Sequence, residues 1–211
     1  PLVWALAIAT MLVGSVLAVV QTDVKRMLAY SSISHAGFVL VGLQAASDTG
    51  VAGSLFYLLT YAFMILGSFA VVTVVGRRGD NAHALDDYRG LGRTRPGLAL
   101  AFTVFLLAQL GFPLTTGFMA KFYVLAAAVE RGSYALAAVA MVSVAIGAYA
   151  YLRVTVLMYR GEPAEDVEPA PRLRISGTTG LALATTLGFT LVVGVLPSPI
   201  MDFARDATLL F

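Results

Sequence analysis

The stretch "GFPLTTGFMAKFYV", residues 111–124, decides how this chain is read. It lies inside a long apolar run, residues 97–129, and breaks two habits of a membrane helix. Pro113, with Gly111 and Gly117 close by, interrupts the helix, and Lys121 sets a charge among apolar neighbours. A proline has no N–H to donate, and its ring clashes with the preceding turn. The carbonyl near Gln109 therefore loses its helical partner. Unpaired backbone at membrane depth is tolerated only inside protein or along a water-filled cavity. Thr115, Thr116 and Gln109 supply groups that can hold water there. An ordinary proline kink is the plainer reading. The lysine beside it favours the alternative, a broken helix whose ends face an ion site, as in transporters.

The rest of the chain fits a membrane setting. Its 211 residues are 59% hydrophobic and 12% charged, with a mean hydropathy of +0.85. A soluble domain carries roughly 25% charged residues. The net charge of +2 is small and scattered, which argues against nucleic acid as a partner. The absence of cysteine excludes disulfides, thiolate metal sites and cysteine nucleophiles. The two histidines, His35 and His83, lie far apart in sequence, so no metal site is expected. The chain opens at Pro1 inside an apolar run, with no basic n-region or cleavage site, and reads as the later part of a longer protein rather than as a signal peptide.

A helix needs ~20 apolar residues to cross the bilayer core. Six segments qualify: residues 3–20, 24–46, 51–76, 97–129, 134–159 and 177–196. They predict an all-α bundle of six transmembrane helices forming a single domain, residues 1–211. The fourth would be about 50 Å long if straight, against a core of ~30 Å, so it must bend, tilt or break. The loops alternate sides. One side receives Lys25, Arg26, Arg77, Arg78, Arg89, Arg93, Arg95, Arg160, Arg172 and Arg174; the other receives Arg131 and Arg205. The excess puts the first side in the cytoplasm, with loops at about 77–96 and 160–174, and the C-terminus on the opposite face. The acidic, proline-rich "GEPAEDVEPAPR", residues 161–172, reads as an irregular solvated connector.

Three intramembrane groups can ionise. Lys121 lies nine residues before Glu130, about 13 Å along a helix and beyond easy snorkelling reach. A charge at that depth costs ~2.5–3.5 kcal/mol on insertion scales. Its bland reading is a tilted helix with a local water defect; its sharp reading is a proton or ion site, where a lysine can exchange between charged and neutral forms. His35 follows Lys25 by ten residues, about 15 Å, near mid-membrane. Histidine titrates nearest neutral pH, and Tyr30, Ser31, Ser32 and Ser34 bring hydroxyls to its stretch. A buried histidine satisfied by a hydroxyl or carbonyl is the plainer account. Arg153, seven residues before Arg160, can snorkel to the surface. His83 sits in a loop without evident chemistry, a loop that could contact another subunit. Physics alone thus gives a bundle with a broken helix and a route for protons or ions.

The blocks "QTDVKRMLAYSSISHAGFVLVGL", "FYLLTYAFMILGSFAVV", "DYRGLG", "GFPLTTGFMAKFYVL" and "YLRVTVLMYRGEP" resemble the antiporter-like membrane subunits of respiratory complex I. Within them the likeness is greatest to the subunit N branch, the counterpart of mitochondrial subunit 2. Lys121 in "AKFYV" and the "YLRVTVLMY" block discriminate; subunit M typically has Glu at the position of Lys121. The multi-subunit sodium/proton antiporters share this ancestry. The resemblance implies fourteen helices with two inverted five-helix repeats, of which this chain holds the second repeat and the last helix. It implies that Lys121 serves the exit half of a proton path and His35 its central polar axis. Lys25, Tyr30, Ser34, Pro113, Thr115 and Thr116, read from the sequence itself, are the supporting candidates. The input half would lie upstream. NADH, FMN, iron–sulfur clusters and quinone would belong to partner subunits, with no cofactor or metal in this chain. The partners implied are a neighbouring antiporter-like subunit, small membrane subunits and lipid. Three departures from the family pattern are visible: Leu114 where Pro is common, Ala120 where Gly is common, and Ile65 where Asn is frequent.

Three functions compete on this reading: an energy-coupled proton pump subunit, a secondary cation/proton antiporter subunit, and a structural scaffold whose Lys121 and His35 only pack.

Overall fold

In a computed structural model the protein is described over residues 1–76, 83–160 and 176–208. Among these residues it is helical, with one isolated bridge between Asp23 and Ala84 as the only β-type pairing. The helices are α1 (Leu2–Val19), α2 (Val24–Gln44), α3 (Asp48–Gly76), the short α4 (Leu91–Thr94), α5 (Pro96–Leu110), α6 (Thr116–Glu130), α7 (Tyr134–Arg160), α8 (Gly177–Val195) and α9 (Ser198–Thr208). Local chemistry sets several starts. The Asp23 carboxylate caps α2 by accepting from the Arg26 N–H at 2.8 Å. Pro96 opens α5 at the one turn where a missing N–H is harmless. The Ser176 hydroxyl caps α8 by accepting from the Thr179 N–H at 3.2 Å.

Four helices, α1, α3, α7 and α8, are long and apolar enough to cross a membrane. This is fewer than the six segments expected, and the differences have physical causes. Helix α2 is 21 residues long but carries Lys25, Arg26, His35 and four serines or tyrosines between them. The long run at 97–129 resolves into α5 and α6, 15 residues each. Each is about 22 Å long, short of a ~30 Å core. The expected loop at about 77–96 contains a 3₁₀ turn at Leu85–Tyr88 and α4 where it is described; residues 77–82, with Arg77 and Arg78, lie outside the described residues. So does the connector at 161–175, with Arg172 and Arg174.

The bundle has two apolar cores, one at each end. The first joins Val24, Leu28, Val72, Phe102, Val154 and Met158 with Leu85, Tyr88 and Leu91 from the turn that closes this end. That turn is tied to α2 by backbone bonds from Val24 N–H to the His83 carbonyl and from Leu85 N–H to the Thr22 carbonyl. Burial holds the Tyr88 phenol above its ordinary range. The second core joins Met11, Phe38, Phe56, Val124 and Leu136 with Met201 and Ala204 of α9. Helix α9 packs against α3.

Between the two cores lies a polar layer. Ser15, Ser31, Ser34, His35, Thr60, Ser68, Gln109, Thr116, Lys121, Ser143, Thr186 and Thr190 are all buried at this height, and they come from seven helices. Buried polar groups are costly unless paired, so a layer of them across a bundle sets the place where chemistry can occur.

Candidate functional site

The site begins at the end of α5. Gly111 has φ +95°, the left-handed conformation that glycine adopts without penalty. Its N–H reaches the Ala108 carbonyl at 3.0 Å, and the Phe112 N–H reaches the Leu107 carbonyl at 2.9 Å. This is a Schellman cap, which satisfies two terminal carbonyls. The next two, on Gln109 and Leu110, remain. Lys121 from α6 takes both: its Nζ donates to the Gln109 carbonyl and, at 2.8 Å, to the Leu110 carbonyl. A cation at a helix C-terminus also meets the negative end of the helix dipole. The lysine that looked misplaced in the sequence is thus the second half of the cap.

Two features bring Lys121 into reach. A Cβ on Gly117 would overlap the Ala108 carbonyl oxygen, so only glycine lets the start of α6 abut the end of α5 this closely. The Phe38 ring sits 5.4 Å from Nζ, within cation–π range. Gln109 donates from Nε2 to the Ser68 hydroxyl at 2.7 Å, tying the break to α3. The Gln109 Oε1 and the Thr116 hydroxyl are buried without a protein hydrogen-bond partner.

His35 is buried on the facing side of the same layer. Its Nδ1 lies 2.7 Å from the Tyr57 hydroxyl and its Nε2 lies 3.1 Å from the Tyr151 hydroxyl. A hydroxyl can donate or accept. Both neutral tautomers, and the doubly protonated ring, are therefore satisfied by rotating two phenol protons. Tyr61 stacks on the imidazole with ring centroids 4.4 Å apart and donates to Ser32 at 2.7 Å.

A cavity joins the two groups. It is lined by Lys121 and His35, with Gln109, Ser34, Ser143 and Tyr151 among its other walls, and water centres can occupy about 20 Å³ of it. A single water needs roughly 10–15 Å³ on this measure. The cavity therefore has room for at least one water in contact with polar groups of several helices.

The structure sorts the residues singled out from sequence. Lys121, His35 and Ser34 share the cavity, and Ser34 pairs with the Ser143 hydroxyl at 3.2 Å. Thr115 is buried and bridges the turn by donating to the Phe112 carbonyl at 2.6 Å. Thr116 is buried at the first turn of α6. Pro113 is exposed, in the non-helical stretch between Leu110 and Thr116. Lys25 and Tyr30 do not line the cavity: Lys25 is in the first turn of α2, and Tyr30 packs on the apolar core at that end. The guanidinium of Arg153 turns toward the end of α1, 3.5 Å from the Val19 and Gln21 carbonyls.

Residues 1–147 match the sequence profile of the family described as NADH:quinone oxidoreductase/Mrp antiporter, transmembrane. The chain belongs to this family. Among similar curated proteins, NADH-quinone oxidoreductase subunit N 1 of Solibacter usitatus is 48% identical over 207 residues, which cover 98% of this chain and 42% of that protein. Subunit N of Rhodococcus opacus is 48% identical over 212 residues, covering 100% and 39%. The chain thus spans less than half the length of the curated relatives it matches. Among solved structures, a chain of respiratory complex I from Thermus thermophilus is 30% identical with a TM-score of 0.77, covering 95% of this chain and 44% of that one. A chain of the Mrp complex from Dietzia sp. DQ12-45-1b is 26% identical with a TM-score of 0.84, covering 98% and 46%.

Tyr57, Tyr151 and Ser143 were not singled out from the sequence. Their signal is weak but present: "FYLLTYAF" and "AYAYLR" place tyrosines inside apolar runs, where a phenol needs a partner.

Proposed function

We propose that this chain is the C-terminal part of subunit N of a proton-translocating NADH–quinone oxidoreductase, and that Lys121 holds and releases a proton on the outward half of its path. The observation that carries the reading is the pairing of Lys121 with the open carbonyl end of α5, at a water-sized cavity also faced by His35. The charged lysine is satisfied by the Gln109 and Leu110 carbonyls. When it releases its proton, the cavity it shares with His35, Ser34 and Ser143 has room for a water to take that proton. His35 passes a proton by exchanging tautomers between Tyr57 and Tyr151. Redox chemistry, with NADH, flavin, iron–sulfur clusters and quinone, belongs to partner subunits, and energy reaches Lys121 as a change in nearby charge.

On this reading α5 and α6 are the halves of one discontinuous membrane helix, and with α1, α2, α3, α7 and α8 they make six crossings. The end bearing Lys25, Arg26, Arg89, Arg93, Arg95 and Arg160 faces the cytoplasm. The bilayer, a neighbouring antiporter-like subunit and small membrane subunits are the partners. The likeness to an Mrp chain keeps a cation/proton antiporter as the second reading; 44–48% identity to proteins named subunit N favours the first. Co-isolation with NADH-oxidising subunits separates the two.

The test is proton uptake by inverted vesicles, normalised to assembled complex. Lys121→Ala should lower NADH-driven uptake and slow quinone reduction through coupling. Lys121→Arg should not restore it, because arginine does not deprotonate in proteins. Parental rates in both variants, with normal assembly, would sink the assignment and favour a scaffold.

A further inference from the structure

Helix α7 carries a second feature, away from the polar layer. Tyr149, Leu152, Arg153, Val156 and Arg160 follow one another at helical spacing and so share one face. Tyr149, Leu152 and Val156 are exposed at 59%, 43% and 47%. Together with Arg89, which follows the 3₁₀ turn at Leu85–Tyr88, this face forms an open groove of about 490 Å³. That lies within the roughly 300–1,000 Å³ of small-molecule sites.

The groove has two kinds of wall. Its inner part is aromatic and aliphatic. Its outer part holds three guanidiniums, and among the described residues none that lines it is acidic. Arg89 shares a contact of 2.8 Å with Asp86, but both are exposed, and such a pair is weak. The contacts of Arg153 to Val19 and Gln21, at 3.5 Å, are long and leave most of its five N–H donors free to turn. From Tyr149 to Arg160 the helix rises about 16 Å, close to half of a ~30 Å hydrocarbon core. The groove is one leaflet tall, apolar at the depth of acyl chains and basic at the depth of headgroups.

With α7 read as a membrane crossing, we infer that this groove binds one phospholipid with an anionic headgroup. Its phosphate lies between Arg153 and Arg160 with Arg89 at the rim, and an acyl chain runs along Val156, Leu152 and Tyr149. Guanidinium forks match phosphate oxygens in pairs, and basic pockets at the ends of membrane helices suit such headgroups. A free anion would make no use of the apolar wall, and the charge of the outer wall excludes a zwitterionic lipid as the preferred occupant.

The test uses the assembled complex containing the full-length subunit, purified in mild detergent, with its bound phospholipids quantified by mass spectrometry. Arg153→Gln combined with Arg160→Gln should lose about one phosphatidylglycerol or cardiolipin per complex, with zwitterionic lipid unchanged. An equal anionic lipid content in both proteins overturns the inference. If that variant fails to assemble, a photo-crosslinking residue at Val156 in the otherwise parental complex decides: a phospholipid adduct supports the site, whereas an adduct to a neighbouring polypeptide, or no lipid adduct, overturns it. Loss of the adduct in excess inorganic phosphate alone would mean an ion site and would also overturn it.

Discussion

Lys121 donates to the Gln109 and Leu110 carbonyls at the end of α5. Its stabilising contribution is limited: a cation at a helix C-terminus is worth at most ~2 kcal/mol in partly buried settings. Removing an ammonium from water costs several kcal/mol. The residue is therefore a poor investment for stability, and a neutral substitute, with cavity water on the two carbonyls, should fold about as well. What the site needs is water. Gly147 lines the cavity, and a Cβ placed there meets nothing nearer than the Tyr151 ring at 4.0 Å. Gly147→Ala should therefore assemble normally and gain up to ~1 kcal/mol of helix propensity. Gly147→Leu should fill the space between Lys121 and His35. We expect assembly to persist and proton uptake by inverted vesicles to fall well below that of the Ala variant. Equal uptake by the two would show that the cavity carries no proton.

The break between α5 and α6 is an element with its own strain. Leu114 has φ +67°, a conformation costing an L-residue roughly 1–2 kcal/mol. It is also 69% exposed, so no buried contact of its side chain explains the choice. Proline is locked near −65° and cannot occupy this turn. Leu114→Gly relieves the strain but frees the unfolded chain by ~0.4–1 kcal/mol, so stability should hold or rise by up to about 1.5 kcal/mol. Leu114→Pro should lower it by more, because the turn must be rebuilt beside the Lys121 contacts. Thermal unfolding of the purified complex ranks the three, and a Pro variant as stable as Leu would mean the turn is not built this way. That the helix does not run on through Gly–Phe–Pro was legible in the overlong apolar run, and residues 111–115 lie between α5 and α6. The lysine's two acceptors were not, because they lie twelve and eleven residues back across a turn. Nor were the tyrosine partners of His35, 22 and 116 positions away on other helices. Helix α9 was not among the segments expected from sequence; Asp202, Arg205 and Asp206 interrupt its apolar residues. Met201 and Ala204, three apart, are its buried apolar residues, with Ile200 packed partly against the same core.

At the scale of the whole molecule, the two apolar cores and the polar layer between them define an axis, and the charges label its ends. At one end are Lys25, Arg26, Arg89, Arg93, Arg95 and Arg160. At the other, Arg131 anchors the turn after α6 by donating from Nε to the Ala45 carbonyl at 2.7 Å, and Ser133 meets Gln44 at 3.1 Å. If the first end is cytoplasmic, the α5 carbonyls held by Lys121 terminate the half-helix that starts from the cytoplasm, and α6 leads outward. The absence of cysteine makes this measurable, because a single introduced thiol has no competitor within these 211 residues. Thr94, in α4 at the basic end, and Glu130, at the far end of α6, are both exposed. A membrane-impermeant maleimide should modify Glu130→Cys in intact spheroplasts and spare Thr94→Cys. In inverted vesicles the pattern should reverse, with the unsubstituted protein as background. Labelling of Thr94→Cys from outside would turn the molecule over. Lys121 would then sit on the cytoplasmic half of the path, and a role in proton exit would fail whatever its effect on pumping.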